Sequence, residues 1–108
     1  MRDRKTSRLI PRRPVGVEIE ASESVATGML ANISEHGACV WTHGAFAAGE
    51  VLVLRIAFHG EPLPFQVAAR VVWAEVARHA QRLGRCGLRW AHTQGPRHER
   101  LRTLISGS

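Results

Sequence analysis

The chain has 108 residues, of which 44% are hydrophobic and 22% charged, and its net charge at pH 7 is +6. A chain of this length supports one domain with a modest core, and its composition is typical of a folded globular protein rather than a disordered one. No apolar run is long enough to cross a bilayer, and no apolar stretch follows the basic N-terminus, so we expect neither membrane insertion nor a secretory signal.

The positive charge is concentrated at the N-terminus. Residues 1–13 carry six of the fifteen basic residues but only Asp3 among the nine acidic ones, so five of the six net positive charges lie in this arm. A concentrated positive field attracts anions, and phosphate is the commonest biological one. We predict that the arm is flexible, because its charges repel one another and it buries little apolar surface.

Apolar and polar residues alternate after the arm, with the period of two that a half-buried strand requires. The alternation predicts six strands, at residues 15–21, 26–33, 38–42, 50–58, 65–76 and 85–91. In the fourth strand every second residue from Leu52 to Phe58 is apolar, and this face should point inward. In the fifth strand the apolar residues that share one phase run from Val67 to Trp73.

The C-terminal segment changes from a strand period to a helix period. Gly95 and Pro96 interrupt the strand pattern, and Leu101, Leu104 and Ile105 then recur at helical spacing. Six short strands joined by turns favour an antiparallel barrel or sandwich. We predict an all-β fold in which residues 14–94 form a small six-stranded antiparallel β-barrel and residues 95–108 form a short C-terminal helix and tail.

The cysteines and histidines do not predict a metal site. Cys39 and Cys86 lack CxxC spacing, which favours free thiols in a reducing cytoplasm. The six histidines form no cluster with zinc spacing, although His36 lies near Cys39. We therefore expect no metal and no cofactor, and a cytoplasmic location.

Catalytic chemistry is not expected either. No Asp occurs after Asp3, and no nucleophile is paired with a base, so we expect no catalytic residues and no enzymatic activity.

Two short motifs carry the functional prediction. Arg8 and Arg12 form an RxxxR just before the first strand, and residues 32–37, Asn-Ile-Ser-Glu-His-Gly, form an NxSxxG at the turn after the second strand. Each motif is weak alone, but their order, separation and strand context resemble the two-part signature of PilZ domains, the bacterial receptors for cyclic di-GMP. Ala69–Trp73 and Gly87–Trp90 also resemble the closing strand pair of that family. The resemblance implies a PilZ-like barrel.

The resemblance also implies a role for each motif residue. Arg8 and Arg12 would bind phosphate and guanine, for which the arginine fork is suited. Asn32 would present its amide to a guanine edge, and Ser34 would hydrogen-bond phosphate or guanine through its hydroxyl. Gly37 would let the backbone approach the ligand closely. The alternatives are a solvated arm, polar residues that only cap the turn, and a bulge glycine.

Four further residues are weaker candidates for ligand contacts. Arg4 and Arg13 are possible secondary contacts, although both are expected to face solvent. Trp41 and Trp73 could stack on a base or belong to the barrel core.

The predicted function is that of a cyclic di-GMP receptor whose ligand-ordered arm forms a surface for a downstream protein partner. One alternative is a small basic β-barrel that binds single-stranded nucleic acid, but residues 14–108 are nearly neutral and show no run of exposed aromatic residues. A nucleic acid partner is therefore not expected. The other alternative is a PilZ-like interaction module that does not bind nucleotide.

Overall fold

The structure is a computed structural model that describes residues 8–75, 83–91 and 94–107. Its elements in chain order are β1 (Gly16–Glu20), β2 (Val25–Ile33), β3 (Gly37–Thr42), β4 (Val51–Ile56), β5 (Phe65–Glu75), β6 (Gly84–Trp90) and α1 (Gly95–Ser106). The six predicted strands and the C-terminal helix are confirmed, and their bounds differ from the predicted ones by no more than two residues.

The six strands close into an antiparallel barrel in the order β1-β2-β3-β6-β5-β4, with β4 pairing back onto β1. Of the two architectures that the alternation allowed, the structure is therefore the barrel and not the sandwich. Closure gives each of the six strands in the described ranges a paired neighbour on both sides. It also makes β6 the direct neighbour of both β3 and β5, with Arg89 opposite Gly37 on one side and Arg70 on the other.

The barrel interior is filled by aliphatic side chains from every strand. The inward prediction for β4 is confirmed: Leu52, Leu54, Ile56 and Phe58 are all buried. Helix α1 begins at Gly95, whose φ of +61° lies in the left-handed region that favours glycine. The helix adds Leu101 and Leu104 to the core. No helix in the described ranges combines the length and apolar character that a membrane crossing requires.

A β-bulge in β5 overturns one prediction. The pairing of β5 with β6 shifts register between Val71 and Trp73, so the strict alternation ends there. Val71 is buried, but Val72 is 56% exposed and Trp73 is 43% exposed. The prediction that Trp73 continues the phase of Val67 and Val71 is therefore wrong, because the extra residue turns its side chain to the outside.

Replacement of a core leucine should destabilise the barrel far more than replacement of an outward residue of the same strand. Leu54 is fully buried, whereas Val51 in β4 is 50% exposed. We expect Leu54→Ala to lower the free energy of unfolding by about 2–5 kcal/mol, because it leaves a cavity. Val51→Ala should change it by about 0.5 kcal/mol or less. Urea unfolding of both variants measures the difference, and equal effects would contradict the assigned barrel interior.

Candidate functional site

The N-terminal arm meets the barrel at the end of β2. Leu9 and Ile33 form an antiparallel bridge, with N···O distances of 2.8 Å from Leu9 to Ile33 and 2.9 Å in the reverse direction. Next to this bridge, Arg8 Nη1 donates a hydrogen bond of 2.9 Å to Asn32 Oδ1. The first arginine of the RxxxR and the first residue of the NxSxxG are therefore in direct contact.

The turn between β2 and β3 is held by hydrogen bonds from within and from β6. The Ser34 backbone N–H donates to the Gly37 carbonyl at 2.8 Å, and the His36 backbone N–H donates to Ser34 Oγ at 3.2 Å. Trp90 donates its indole N–H to the Ser34 carbonyl at 3.0 Å and its backbone N–H to the His36 carbonyl at 2.9 Å. Ser34 is only 1% exposed, so its hydroxyl lies within the turn. This position favours a turn-capping role for Ser34 over direct ligand contact.

Gly37 is required by the close approach of β3 to β6. A Cβ atom at Gly37 would lie 1.9 Å from the Leu88 carbonyl oxygen. The pair Gly37–Arg89 belongs to a regular part of the β3–β6 ladder, so Gly37 is not a bulge glycine. No larger residue fits here unless the two strands separate.

A cavity of about 470 Å³ opens beside the arm–turn junction. It is lined by Arg8, His36, Val72, Trp73, Gly87, Leu88 and Arg89. The lining contains two guanidinium groups and one indole ring but no carboxylate. Such a surface suits a ligand that combines negative charge with flat rings, because guanidinium groups bind phosphate and indole rings stack on bases.

The indole of Trp73 packs against neighbouring residues on the outside of the barrel. It lies over Gly87, where a Cβ atom would come within 2.2 Å of Trp73 Nε1. The Arg85 guanidinium carbon is 5.9 Å from the centroid of Trp73 and 5.1 Å from that of Trp41. Arg85 is also paired with Glu75 at 3.1 Å. Neighbouring side chains thus hold the indole while leaving part of it exposed to the cavity.

Arg12 and Arg13 line a different cavity, of about 370 Å³, at the C-terminal end of α1. Its other lining residues are Pro11, Val15, His59, Ser106 and Gly107. Arg13 is hydrogen-bonded to His59, and both arginines are exposed, as expected for Arg13. The structure therefore brings Arg8, Asn32 and the turn together but does not bring Arg12 into the same cavity. Arg4 lies outside the described residues.

Sequence reasoning missed Arg89 and His36 as lining residues. His36 is part of the NxSxxG segment but occupies one of its variable positions. Arg89 lies between buried Leu88 and Trp90, so the alternation of β6 already indicated that it faces outward. What the alternation could not indicate is that Arg8 lines the same cavity.

The two cysteines are free thiols buried in the barrel wall. Burial raises the pKa of the Cys86 thiol to about 11. Burial also raises the pKa of Cys39, although the positive charges of Arg85 and Arg8 partly oppose that effect. No group of three or more His, Cys, Asp or Glu side chains that could hold a metal ion occurs in the described ranges.

The structure is a small β-barrel with a basic, partly aromatic cavity where its N-terminal arm meets the wall. The profile of the PilZ domain family matches residues 2–107, and the chain therefore belongs to the PilZ domain family. PilZ domains are receptor domains rather than enzymes, and the ligand that they bind is cyclic di-GMP. No curated protein sequence matches the chain.

Solved structures confirm the fold. The PilZ domain of YcgR from Escherichia coli, solved with c-di-GMP, superposes with a TM-score of 0.77 at 14% identity and covers 98% of this chain and 91% of its own. The Bacillus subtilis inhibitor of motility MotI/DgrA gives a TM-score of 0.73 at 20% identity over 99% of this chain, which spans about half (51%) of that protein. The PilZ domain of CeSA from a cellulose-synthesizing bacterium gives 0.67 at 18% identity, covering 94% of this chain and 96% of its own.

Replacing Gly37 should damage the fold, whereas the same change at Gly16 should not. Gly37→Ala places a methyl group against the Leu88 carbonyl, and we expect a loss of about 3 kcal/mol or more in the free energy of unfolding, beyond the usual range for overpacking because the obstacle is backbone. Gly16 in β1 is the matched control, since a Cβ atom there meets no atom within 4 Å. Thermal and urea unfolding of both variants provide the measurement. A stable Gly37→Ala protein would show that the strands do not approach this closely.

Proposed function

We propose that this chain is a cyclic di-GMP receptor that has no catalytic activity and binds the dinucleotide at the arm–turn junction. The observation that supports this most directly is the contact between Arg8 and Asn32, which joins the two motifs beside a cavity without carboxylates. Cyclic di-GMP presents two phosphates and two guanines, and the cavity offers guanidinium groups for the first and an indole ring for the second.

Arg8 and Asn32 would act together on one edge of the ligand. The Arg8 fork can hold a phosphate bidentately or donate to O6 and N7 of guanine. Asn32 Oδ1 already accepts from Arg8, and its amide nitrogen can donate to a guanine acceptor. Ser34 and Gly37 would support this pair indirectly, by fixing the turn from which Asn32 projects.

Arg12 would reach the ligand only after its side chain reorients. Arg12 lines the neighbouring cavity with Arg13, so its contribution as the second arginine of the RxxxR requires a change of rotamer or of the arm path. Leu9, by contrast, is already paired with Ile33. We therefore expect ligand binding to reposition Arg8 and Arg12 more than the backbone at Leu9.

The output of the receptor would be a surface for a protein partner. A ligand bound at the junction neutralises the arginines and fixes their side chains. Binding therefore shifts the population toward a closed arrangement, in which the arm lies against the turn at residues 32–37. MotI/DgrA is an inhibitor of motility, and such a role agrees with that name, since inhibition requires a target. For this chain the partner is part of the proposal.

Parallel titrations separate the receptor from the alternatives. Isothermal titration of the full chain with cyclic di-GMP and with a single-stranded oligonucleotide, in moderate salt, should give saturable heat with the dinucleotide only. Heat with the oligonucleotide alone would favour the nucleic-acid-binding alternative. No heat with either would favour an interaction module that does not bind nucleotide.

Loss of either motif arginine should weaken binding without unfolding the barrel. We expect Arg8→Ala and Arg12→Ala each to reduce the binding free energy for cyclic di-GMP by about 1.5–3 kcal/mol, the usual size for a hydrogen bond to a charged group. Arg102→Ala is the control, because Arg102 is an exposed residue of α1 that pairs only with Glu99 among the described residues, at 3.7 Å. Calorimetry measures the affinities and thermal melting checks the fold. Unchanged affinity in Arg8→Ala would show that Arg8 does not bind the ligand and would contradict the proposed site.

Trp73 should report ligand binding by fluorescence. If a guanine stacks on the exposed indole of Trp73, cyclic di-GMP should quench the tryptophan emission of the wild-type protein. Trp73→Leu should lose most of this quenching, whereas Trp41→Leu should keep it, because Trp41 does not line the cavity. The opposite pattern would place the base on Trp41.

A further inference from the structure

Arg89 occupies a position that neither motif predicts. It lies on the outer face of β6, is exposed, and lines the cavity together with Arg8. Its neighbours across the ladder are Gly37 on β3 and Arg70 on β5. Arg89 thus stands next to the NxSxxG turn, although the two are separated by about fifty residues in sequence.

The pairing of Arg89 with Arg70 is electrostatically unfavourable. Like charges at directly opposed positions of an antiparallel pair destabilise a sheet. The repulsion is partly offset at Arg70, because Arg70 Nη1 donates a hydrogen bond to the Gly49 carbonyl at 3.0 Å. For the Arg89 side chain, by contrast, no hydrogen bond or ion pair to another described residue is found.

Two other arginines on the barrel wall, Arg55 and Arg85, are paired with carboxylates. Arg55 contacts Glu18 and Glu20 at 3.1 and 2.8 Å, and Arg85 contacts Glu75. Arg89, which lines the cavity with Arg8, pairs with no carboxylate among the described residues. An unpaired guanidinium beside a second arginine, with no carboxylate in the lining, is an arrangement that an anionic ligand would complete.

We propose that Arg89 binds a phosphate of the dinucleotide from the barrel wall, while Arg8 binds from the arm. This inference rests on the proposed function and adds a binding residue outside both motifs. A doubly phosphorylated ring offers one anion to each fork, so the wall and the arm share the charge of the ligand. Binding also relieves the repulsion between Arg89 and Arg70, because the phosphate screens it.

Two variants of Arg89 and one of its neighbour test the assignment. Calorimetry of the full chain with cyclic di-GMP should show binding about 10- to 100-fold weaker for Arg89→Gln. Arg89→Lys should bind with intermediate affinity, because it keeps the charge but loses the bidentate fork. Arg70→Gln removes the same charge one strand away, outside the cavity lining, and should weaken binding only about threefold or less because exposed charges are screened. Thermal melting without ligand should show Arg89→Gln at least as stable as the wild type.

Phosphorus NMR of the bound ligand identifies the group that Arg89 contacts. At saturating protein, cyclic di-GMP bound to Arg89→Gln should have at least one ³¹P shift that lies closer to the free value than the shift of the ligand bound to the wild type. Wild-type affinity in Arg89→Gln would overturn the role of Arg89 alone, and so would an equal loss in Arg70→Gln. Absence of binding to the wild-type protein would instead overturn the proposed function, and this role with it.

Discussion

The close approach of β3 to β6 at Gly37 is the constraint on which the site depends. The strands come so near that the Leu88 carbonyl occupies the space of any side chain at position 37. This proximity lets Trp90 of β6 hydrogen-bond twice to the turn, once through its ring and once through its backbone. These bonds stabilise the turn, and Asn32 at its start lies within hydrogen-bonding distance of Arg8.

The identity of Asn32 sets how strongly the arm is held. A carboxylate at this position would pair with Arg8 through a charge-assisted bond, roughly twice as strong as a neutral one. The Asn32 amide fixes the direction of the guanidinium but leaves its charge uncompensated. Elsewhere on the wall, as at Arg55 and Arg85, glutamates cancel the charge of the arginines. The positive potential of the cavity is thus preserved by a neutral partner.

The sequence predicted the fold well because its signals are local. Alternation within a strand needs only neighbouring residues, and the six strands and the helix were all found. The site was predicted less completely because its geometry depends on distant contacts. The burial of Ser34 follows from a turn that Trp90 supports from 56 residues away. The resemblance implied that Arg8 and Arg12 bind the same ligand. The chain bends at Arg12 and Arg13 after the pairing of Leu9, however, and the two arginines line separate cavities.

The bulge that broke the prediction for β5 also builds the cavity wall. In a regular strand Trp73 would share the inward phase of Val71, and only Val72 would face the cavity. The extra residue puts both Val72 and Trp73 outside, where they line the surface that Arg8 and Arg89 also line. Bulges commonly re-aim side chains next to functional sites. The indole packs on the backbone of Gly87, where a side chain would clash with it. The position of Trp73 therefore depends both on the bulge in β5 and on the glycine in β6. A bulge without that glycine would expose Trp73 but give it no fixed orientation.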